Sequence, residues 1–291
     1  MPSLRTAMQD FLANWEDDVA AEWRTLLTGI EPTFDAIDGS LSVRADEVIF
    51  PGRKGHEPPG APHGSHVFRA MDDISPATVS VVVVGQDPYP RVSRATGRAF
   101  EQGDIFDWTS RSPGVSPSLK RIIQQAAAVR SGRSKYMMSS GGWKHVVDDI
   151  EDGRLNLPAP SPLFDHWQAQ GVLFLNTGLT LTRYQPGGHP HQLKGHIPLW
   201  APVIGALCWR LAKRDDMPVV FLSWGGKARK FLFQAGITRS TRRPPVVVGQ
   251  LPRTAVIDRN HPAVPSFLSG QNIFEEANTR LTELGGATIT W

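Results

Sequence analysis

Residues 79–90, VSVVVVGQDPYP, constrain the fold more than any other stretch of the chain. The run of valines shows no alternation with polar residues, which predicts a strand buried on both faces of a parallel sheet. Gly85 permits a tight turn, and Pro88 stiffens the backbone and keeps Asp87 out of helical geometry. The pattern therefore predicts an acid and an aromatic residue, Tyr89, on a rigid loop at the carboxyl end of a buried strand.

Three further apolar runs, at 171–175, 218–222 and 254–257, also end in polar or aromatic residues. Helical patterns lie between and after these runs, which predicts an α/β fold: a single-domain three-layer sandwich with a central four-stranded, mostly parallel sheet flanked by helices. The carboxyl ends of parallel strands share one edge of a sheet, and ligands bind there. We therefore expect Asp87 to meet the groups that follow the other runs: Asn176, Ser223, Trp224 and His261.

The remaining segments are consistent with one domain over residues 1–291. Apolar residues at helical spacing over 4–26 predict a helical N-terminal extension of about 1–30. Ser116 followed by Pro117 predicts the start of a helix, and helices are expected over 198–213 and 271–284. Residues 131–162 are rich in Gly, Ser and Pro, so we expect an irregular insertion with at most one short helix.

Composition excludes several classes of protein. The single cysteine, Cys208, can form no intramolecular disulfide and no thiolate-rich zinc or iron–sulfur site. No apolar run approaches the roughly 20 residues that span a bilayer, and the N-terminus lacks the apolar core of a signal peptide, so we expect a cytoplasmic protein without membrane contact. The net charge of +3 permits nucleic-acid binding without requiring it.

Each polar group taken alone has an ordinary structural explanation. Asp87 could cap a turn, Asn176 could satisfy a turn and His261 could be a structural histidine. The histidines of GGHPHQLKGH (187–196) have no acid or cysteine beside them, so no metal is expected. The segment SWGGKARK (223–230) lacks the spacing of a nucleotide-triphosphate loop, and no G-x-G-x-x-G follows a strand, so no cofactor is expected either.

Taken together and in this order, GQDPY, the strand ending in Asn, WGG before a helix and the late NHP resemble the family-1 uracil-DNA glycosylases. Further similarity lies in ATGRAF (95–100), SPSL (116–119), GVLFLNTGLTLT (171–182), VFLSWG (220–225) and TITW (288–291). The resemblance spans roughly residues 20–291 without the insertion. It implies a monomeric DNA-repair hydrolase of base excision repair that flips uracil out of single-stranded or duplex DNA. Such an enzyme leaves free uracil and an abasic site and has no lyase step.

The resemblance also implies a role for each site residue. As catalytic residues, Asp87 would position water and stabilise positive charge on the sugar, and His261 would donate a hydrogen bond to the uracil oxygen that becomes negative. Dissociative cleavage of an N-glycosidic bond needs such an anion and donor on opposite sides. The uracil-binding residues would be Gln86 through its backbone, Tyr89 against the thymine methyl group, Phe100 by stacking, and Asn176 through the base edge.

The rim that would contact DNA departs from the family pattern. Pro90 replaces the usual histidine, Pro265 aligns with the leucine that enters the duplex, and Gly226 replaces a hydroxyl or amide residue. We therefore expect altered handling of duplex DNA and of the abasic product, and weak sensitivity to the family's DNA-mimic inhibitor protein. The candidate wedge residues are Pro265, Phe267 and Leu268. The resemblance places DNA contacts at Pro117, Ser118, Gly225, Gly226, Pro262, Ser266, Arg91 and Arg94.

Two other functions remain compatible with the sequence. A damage-binding or abasic-site-binding module on the same fold could have little turnover, although the presence of Asp87, Asn176 and His261 argues against it. Specificity for thymine or mismatches is a variant of the enzyme hypothesis, which the bulk of Tyr89 disfavours.

Overall fold

A four-stranded parallel sheet forms the centre of the protein. The computed structural model describes residues 1–111 and 113–291. The strands are β1 (Val81–Gly85), β2 (Val172–Asn176), β3 (Val219–Trp224) and β4 (Thr254–Arg259). They lie in the order β2-β1-β3-β4, and every neighbouring pair is parallel. The expected α/β architecture is therefore confirmed.

Helices cover both faces of the sheet. In the described ranges the α-helices are α1 (Leu4–Phe11), α2 (Ala21–Leu27), α3 (Pro117–Ser131), α4 (Gly142–Glu151), α5 (Pro160–Ala169), α6 (Ile197–Ala212), α7 (Gly226–Gln234) and α8 (Ile273–Glu283). The bounds of α6 and α8 agree with the sequence prediction to within two residues. No helix in these ranges combines the length and apolar character needed to cross a membrane.

The valine run is buried because it has a core on each side. Val82 and Val84 pack into one cluster with residues of α1, α2, α6 and α7. Val81 and Val83 pack into a second cluster with residues of α3, α5 and α8. Alternate side chains of a strand point to opposite faces, so a strand between two helical layers needs apolar residues at every position.

The N-terminal helices belong to the first of these cores. Leu4, Met8 and Trp23 are fully buried in it. The indole N–H of Trp23 donates to the carbonyl of Ile74 at 2.7 Å, which ties α2 to the segment before β1. Ser3 caps α1 by accepting a hydrogen bond from the N–H of Thr6.

The expectation of an irregular segment over residues 131–162 is wrong in its secondary structure. The segment contains α4, the beginning of α5 and a short 3-10 turn at Ser134–Met137. Its glycines and prolines start helices: Gly141, with a φ of 77°, precedes α4, and Pro160 is the first residue of α5. The buried carboxylate of Asp149 lies on the inner side of α4, which breaks the apolar pattern that would have revealed the helix.

The packing of α1 predicts how the N-terminal extension contributes to stability. Met8→Ala should lower the free energy of unfolding by about 2–5 kcal/mol, because a fully buried side chain is lost from the core shared with the sheet. Urea denaturation followed by tryptophan fluorescence and far-UV circular dichroism measures the change. The exposed neighbour Gln9→Ala is the control, with a change of no more than about 0.5 kcal/mol. An unchanged midpoint for Met8→Ala, or a separate early transition, would contradict a single folding unit.

Candidate active site

A cavity of about 330 Å³ lies at the carboxyl edge of the sheet. The loop after β1, the end of β2, the start of α7 and the loop after β4 all contribute to its wall. The sequence predicted this convergence, since each of these segments follows a strand or ends one. The six predicted catalytic and uracil-binding residues all line it: Gln86, Asp87, Tyr89, Phe100, Asn176 and His261.

The pairing of β1 with β2 positions the amide of Asn176. Gly85 and Asn176 are direct partners in the register, and a Cβ on Gly85 would collide with the Oδ1 of Asn176. Glycine is therefore required at the end of β1 if the buried Asn176 amide is to face the cavity. The strand pairing continues past both ends, since Thr177 N–H donates to Gly85 O at 3.1 Å and Gly178 N–H donates to Gln86 O at 2.8 Å.

Asp87 presents a largely desolvated carboxylate. Its Oδ1 is buried and has no hydrogen-bond partner among the described residues, whereas Oδ2 accepts a hydrogen bond from Nε2 of Gln192. Burial raises the pKa of Asp87 to about 6, against the opposing effects of the Gln192 hydrogen bond and the positive charge of Lys227. The group is therefore mostly ionised at pH 7 and mostly neutral below pH 5.

His261 lies at the mouth of the cavity as a neutral hydrogen-bond donor. Its Nδ1 accepts from the backbone N–H of Ala263 at 3.1 Å, so in the neutral ring the proton is on Nε2. Partial burial of the ring lowers the pKa of His261, which favours this neutral form. Gly225, with a φ of 99°, allows the chain after β3 to pass close by, since a Cβ there would lie 3.1 Å from the Cβ of His261.

Phe100 forms an aromatic wall in a strained conformation. Its φ of 64° is a left-handed value that bulky residues rarely adopt. The ring centroid lies 5.1 Å from that of Trp224 and 6.1 Å from that of His261. Strain of this kind persists where the surroundings enforce it and is concentrated at functional sites.

Tyr89 is fixed by a hydroxyl that also caps a helix. The phenol oxygen and Ser116 Oγ are 2.7 Å apart, and Ser116 Oγ accepts from the N–H of Leu119 at 3.3 Å as the N-cap of α3. Burial raises the pKa of Tyr89 to about 12, so the phenol stays neutral. The ring is therefore a rigid part of the wall.

The predicted DNA-contacting residues differ in their exposure. Pro117, Gly226, Ser266 and Arg91 are exposed, and Ser118 is half-buried on the cavity wall. Gly225 and Pro262 are buried. Nε of Arg94 pairs with Oδ2 of Asp104 at 2.7 Å, so its charge is partly neutralised within the protein.

Two of the three candidate wedge residues are excluded by their burial. Phe267 is fully buried and Leu268 is 5% exposed, and the ring of Phe267 packs against Trp224 with centroids 5.3 Å apart. The short 3-10 turn Pro265–Leu268 directs both side chains into the core. The sequence of this loop does not reveal the turn. Pro265 remains exposed, and Val264, which the sequence analysis overlooked, is 43% exposed beside it.

Sequence reasoning also missed residues that act through other residues. Nη1 of Arg121, on α3, donates to the carbonyls of Pro262 at 3.0 Å and Ala263 at 2.9 Å, which holds the loop after β4.

Gln192 belongs to the histidine-rich segment, in which the sequence indicated only a question of metal binding. In the described part of the chain no group of three or more His, Cys, Asp or Glu side chains is placed to hold a metal ion. Tyr184, Leu193 and Lys227 also line the cavity.

Uracil-DNA glycosylases are among the known proteins that the chain resembles. No protein-family model matches the chain. A uracil-DNA glycosylase of Bordetella pertussis is 31% identical over 281 residues, which cover 93% of this chain and 86% of that protein. The wild-type UNG structure from Nitratifractor salsuginis superposes with a TM-score of 0.62 at 19% identity, over 97% of this chain and 98% of that one. A mimivirus UNG variant in complex with UGI gives a TM-score of 0.61 at 19% identity, over 99% and 94% of the two chains.

These comparisons carry different weight. The solved structures are below 25% identity and support the fold alone. The Bordetella relative matches over nearly the whole of both sequences, and the residues that carried the resemblance line one cavity. On that evidence, the chain belongs to the uracil-DNA glycosylase family.

Proposed function

We propose that this protein flips uracil out of DNA and hydrolyses its N-glycosidic bond, leaving free uracil and an abasic site. The observation that carries the proposal is the presence of a desolvated carboxylate, Asp87, and a neutral imidazole donor, His261, on the wall of one cavity with the buried amide of Asn176. All of these groups come from a single chain, so we infer that a monomer is active.

The two catalytic groups match the charge that develops as the bond breaks. The sugar becomes an oxocarbenium ion, which the Asp87 carboxylate stabilises, and Oδ1 is available to orient the attacking water. The departing base becomes an anion, and the Nε2–H of His261 donates to its oxygen. A donor fixed in advance costs no reorganisation during the reaction.

The other walls select the base. The amide of Asn176 offers one donor and one acceptor to the edge of uracil, and cytosine would meet it with these groups reversed. A mismatched buried polar pair costs about 1–3 kcal/mol. Phe100 provides a stacking surface for the extruded base, and this contact offsets part of the few kcal/mol that unstacking requires.

The first prediction of the proposed function concerns the catalytic pair. His261→Ala should lower kcat for uracil release about 100- to 1000-fold, because it removes the donor to the departing base. Asp87→Asn should lower kcat at least as much, because a neutral amide stabilises the cation poorly. Release of free base from single-stranded and duplex oligonucleotides containing uracil measures both effects, and His63→Ala, in an exposed loop, is the control.

Stability measurements separate a loss of chemistry from a loss of folding. The pKa of Asp87 is raised from 3.8 to about 6, so its ionised form is disfavoured in the folded state. Asp87→Asn should therefore stabilise the protein by up to about 3 kcal/mol above pH 6 and by little below pH 4.

The wild type itself distinguishes the enzyme from the binding-module alternative. A wild-type protein that binds damaged DNA but releases no uracil would favour the binding module.

The second prediction concerns the exclusion of thymine. Tyr89→Ala should allow release of thymine from oligonucleotides, because it removes the ring that would occupy the space of the 5-methyl group. Tyr89→Phe retains the ring and loses only the contacts of the hydroxyl with Ser116 and with the carbonyl of Phe100, so it should still reject thymine. Equal thymine release by wild type and Tyr89→Ala would remove Tyr89 as the filter.

We further propose that Pro265, together with Val264, fills the stack that the flipped base leaves in duplex DNA. These two apolar residues are exposed in the loop that follows His261 and is held by Arg121. A short loop without the family's leucine offers less apolar surface to the duplex, so we infer altered handling of duplex and abasic DNA. For the same reason we infer weak binding of the DNA-mimic inhibitor protein.

The third prediction tests this loop. Replacing both Val264 and Pro265 with Ala should lower kcat/KM on duplex DNA about tenfold, because the vacated stack is no longer filled, and leave single-stranded activity within about twofold. Met138→Ala, which removes another exposed apolar side chain, is the control. An equal loss on both substrates would argue against a wedge, and complete inhibition of the wild type at stoichiometric inhibitor would refute weak inhibitor binding.

A further inference from the structure

The histidine-rich segment before α6 places an amide directly against the catalytic carboxylate. A single π-helical turn, Gln192–His196, leads into α6, and such turns are frequent at functional sites. Gln192 is 3% exposed, and its Nε2 donates to Oδ2 of Asp87. We propose that Gln192 is a positioning residue that fixes the orientation of the Asp87 carboxylate and keeps it ionised, an inference that rests on the proposed glycosylase function.

The contact fixes both ends of the amide and, through it, the carboxylate. An ionised carboxylate can only accept, so the NH2 group of Gln192 must face Asp87. The Oε1 at the other end accepts from the backbone N–H of His189 at 3.4 Å. With Oδ2 held in this way, Oδ1 lies against Gly178, where an added Cβ would be 3.2 Å away, and is the oxygen left for water or the sugar.

A buried chain of hydrogen bonds supports the turn that carries Gln192. The indole N–H of Trp200 donates to Oγ1 of Thr180 at 2.8 Å, and Thr180 Oγ1 lies 2.9 Å from Nδ1 of His196. Thr182 Oγ1 lies 3.1 Å from Nε2 of His196 and 2.8 Å from Nδ1 of His191. His191 directly precedes Gln192 in the sequence, so the hydrogen bonds end at the residue next to the one that must be held.

The indole gives this chain a direction. Trp200 can only donate, and Nδ1 of His196 is the one acceptor that the described residues offer to the hydroxyl proton of Thr180, so Thr180 donates to that nitrogen. Nε2 of His196 then donates to Thr182, whose hydroxyl proton goes to Nδ1 of His191. Both histidines are neutral in this arrangement, and burial lowers the pKa of His196 to about 3, in agreement with it. Every donor along the chain has its acceptor, so the turn has a single favourable arrangement.

Other groups near Asp87 influence its ionisation but do not replace this contact. The polar side chain of Gln86, on the same loop as Asp87, and the charge of Lys227, on α7, both lower the pKa of Asp87. The titratable groups His261, Tyr89 and Tyr184 also line the cavity. Only Gln192 reaches the carboxylate from the π turn, and therefore only this contact links Asp87 to the buried chain of hydrogen bonds.

The test replaces the amide without changing the packing. Gln192→Met keeps the bulk of the side chain and removes its donor, so the pKa of Asp87 should rise by about one unit. The acidic limb of the kcat/KM profile for a uracil-containing single strand should move from about pH 6 to about pH 7. Activity should fall about fivefold at pH 6, approach a tenfold loss below pH 5 and lie within about threefold of wild type at pH 8.5. Gln185→Met, which alters another amide on the cavity wall, should leave the limb in place.

A second readout does not depend on turnover. Titration of the 13C-labelled Asp87 carboxyl by NMR should show the same rise in pKa in Gln192→Met. A limb and a carboxyl titration that both stay at the wild-type pH would overturn the proposal, as would a loss of activity that is equal at every pH. If the wild type releases no uracil, the proposed function fails, and the NMR titration still decides whether Gln192 controls Asp87.

Discussion

The register between β1 and β2 is the constraint on which the site depends. It places Gly85 opposite Asn176, and only a residue without a Cβ leaves room for the amide. The same pairing continues through Thr177 and Gly178, whose N–H groups bind the carbonyls of Gly85 and Gln86. A slip of one residue would turn the Asn176 side chain to the other face and release the loop that carries Asp87. The positions of the groups proposed to recognise the base and to stabilise charge are thus set by one pair of strands.

The site stores unfavourable energy that the rest of the fold must offset. A carboxylate with a pKa of about 6 is destabilised by burial, and Phe100 holds a strained backbone conformation. Both features are useful only when the surrounding structure is rigid. The two apolar cores on either side of β1, and the buried hydrogen bonds that end at His191, provide that rigidity. The unfavourable contributions of Asp87 and Phe100 are therefore compatible with a stable domain.

Sequence reasoning succeeded where a feature is local and failed where it depends on orientation. The strand ends and the residues that follow them could be predicted, because an apolar run and its terminating glycine or asparagine are contiguous. Phe267 and Leu268 could not be distinguished from exposed apolar residues, since their burial is decided by a short turn against Trp224. Gln192 lies 105 residues from Asp87 in the sequence, and no local pattern indicates that contact. The helices within 131–162 were hidden because their starting glycine and proline resemble loop residues.

The contacts of Arg121 have an electronic consequence for His261. The carbonyl of Pro262 that accepts from Arg121 and the N–H of Ala263 that donates to His261 belong to the same peptide group. A guanidinium on the oxygen withdraws electron density across the conjugated amide, which makes its N–H a more acidic donor toward the imidazole. The positive charge on α3 thus reaches His261 through one peptide plane and reinforces the tautomer with its proton on Nε2. Arg121, whose hydrogen bonds go to backbone carbonyls, can in this way influence which nitrogen of the histidine carries the proton.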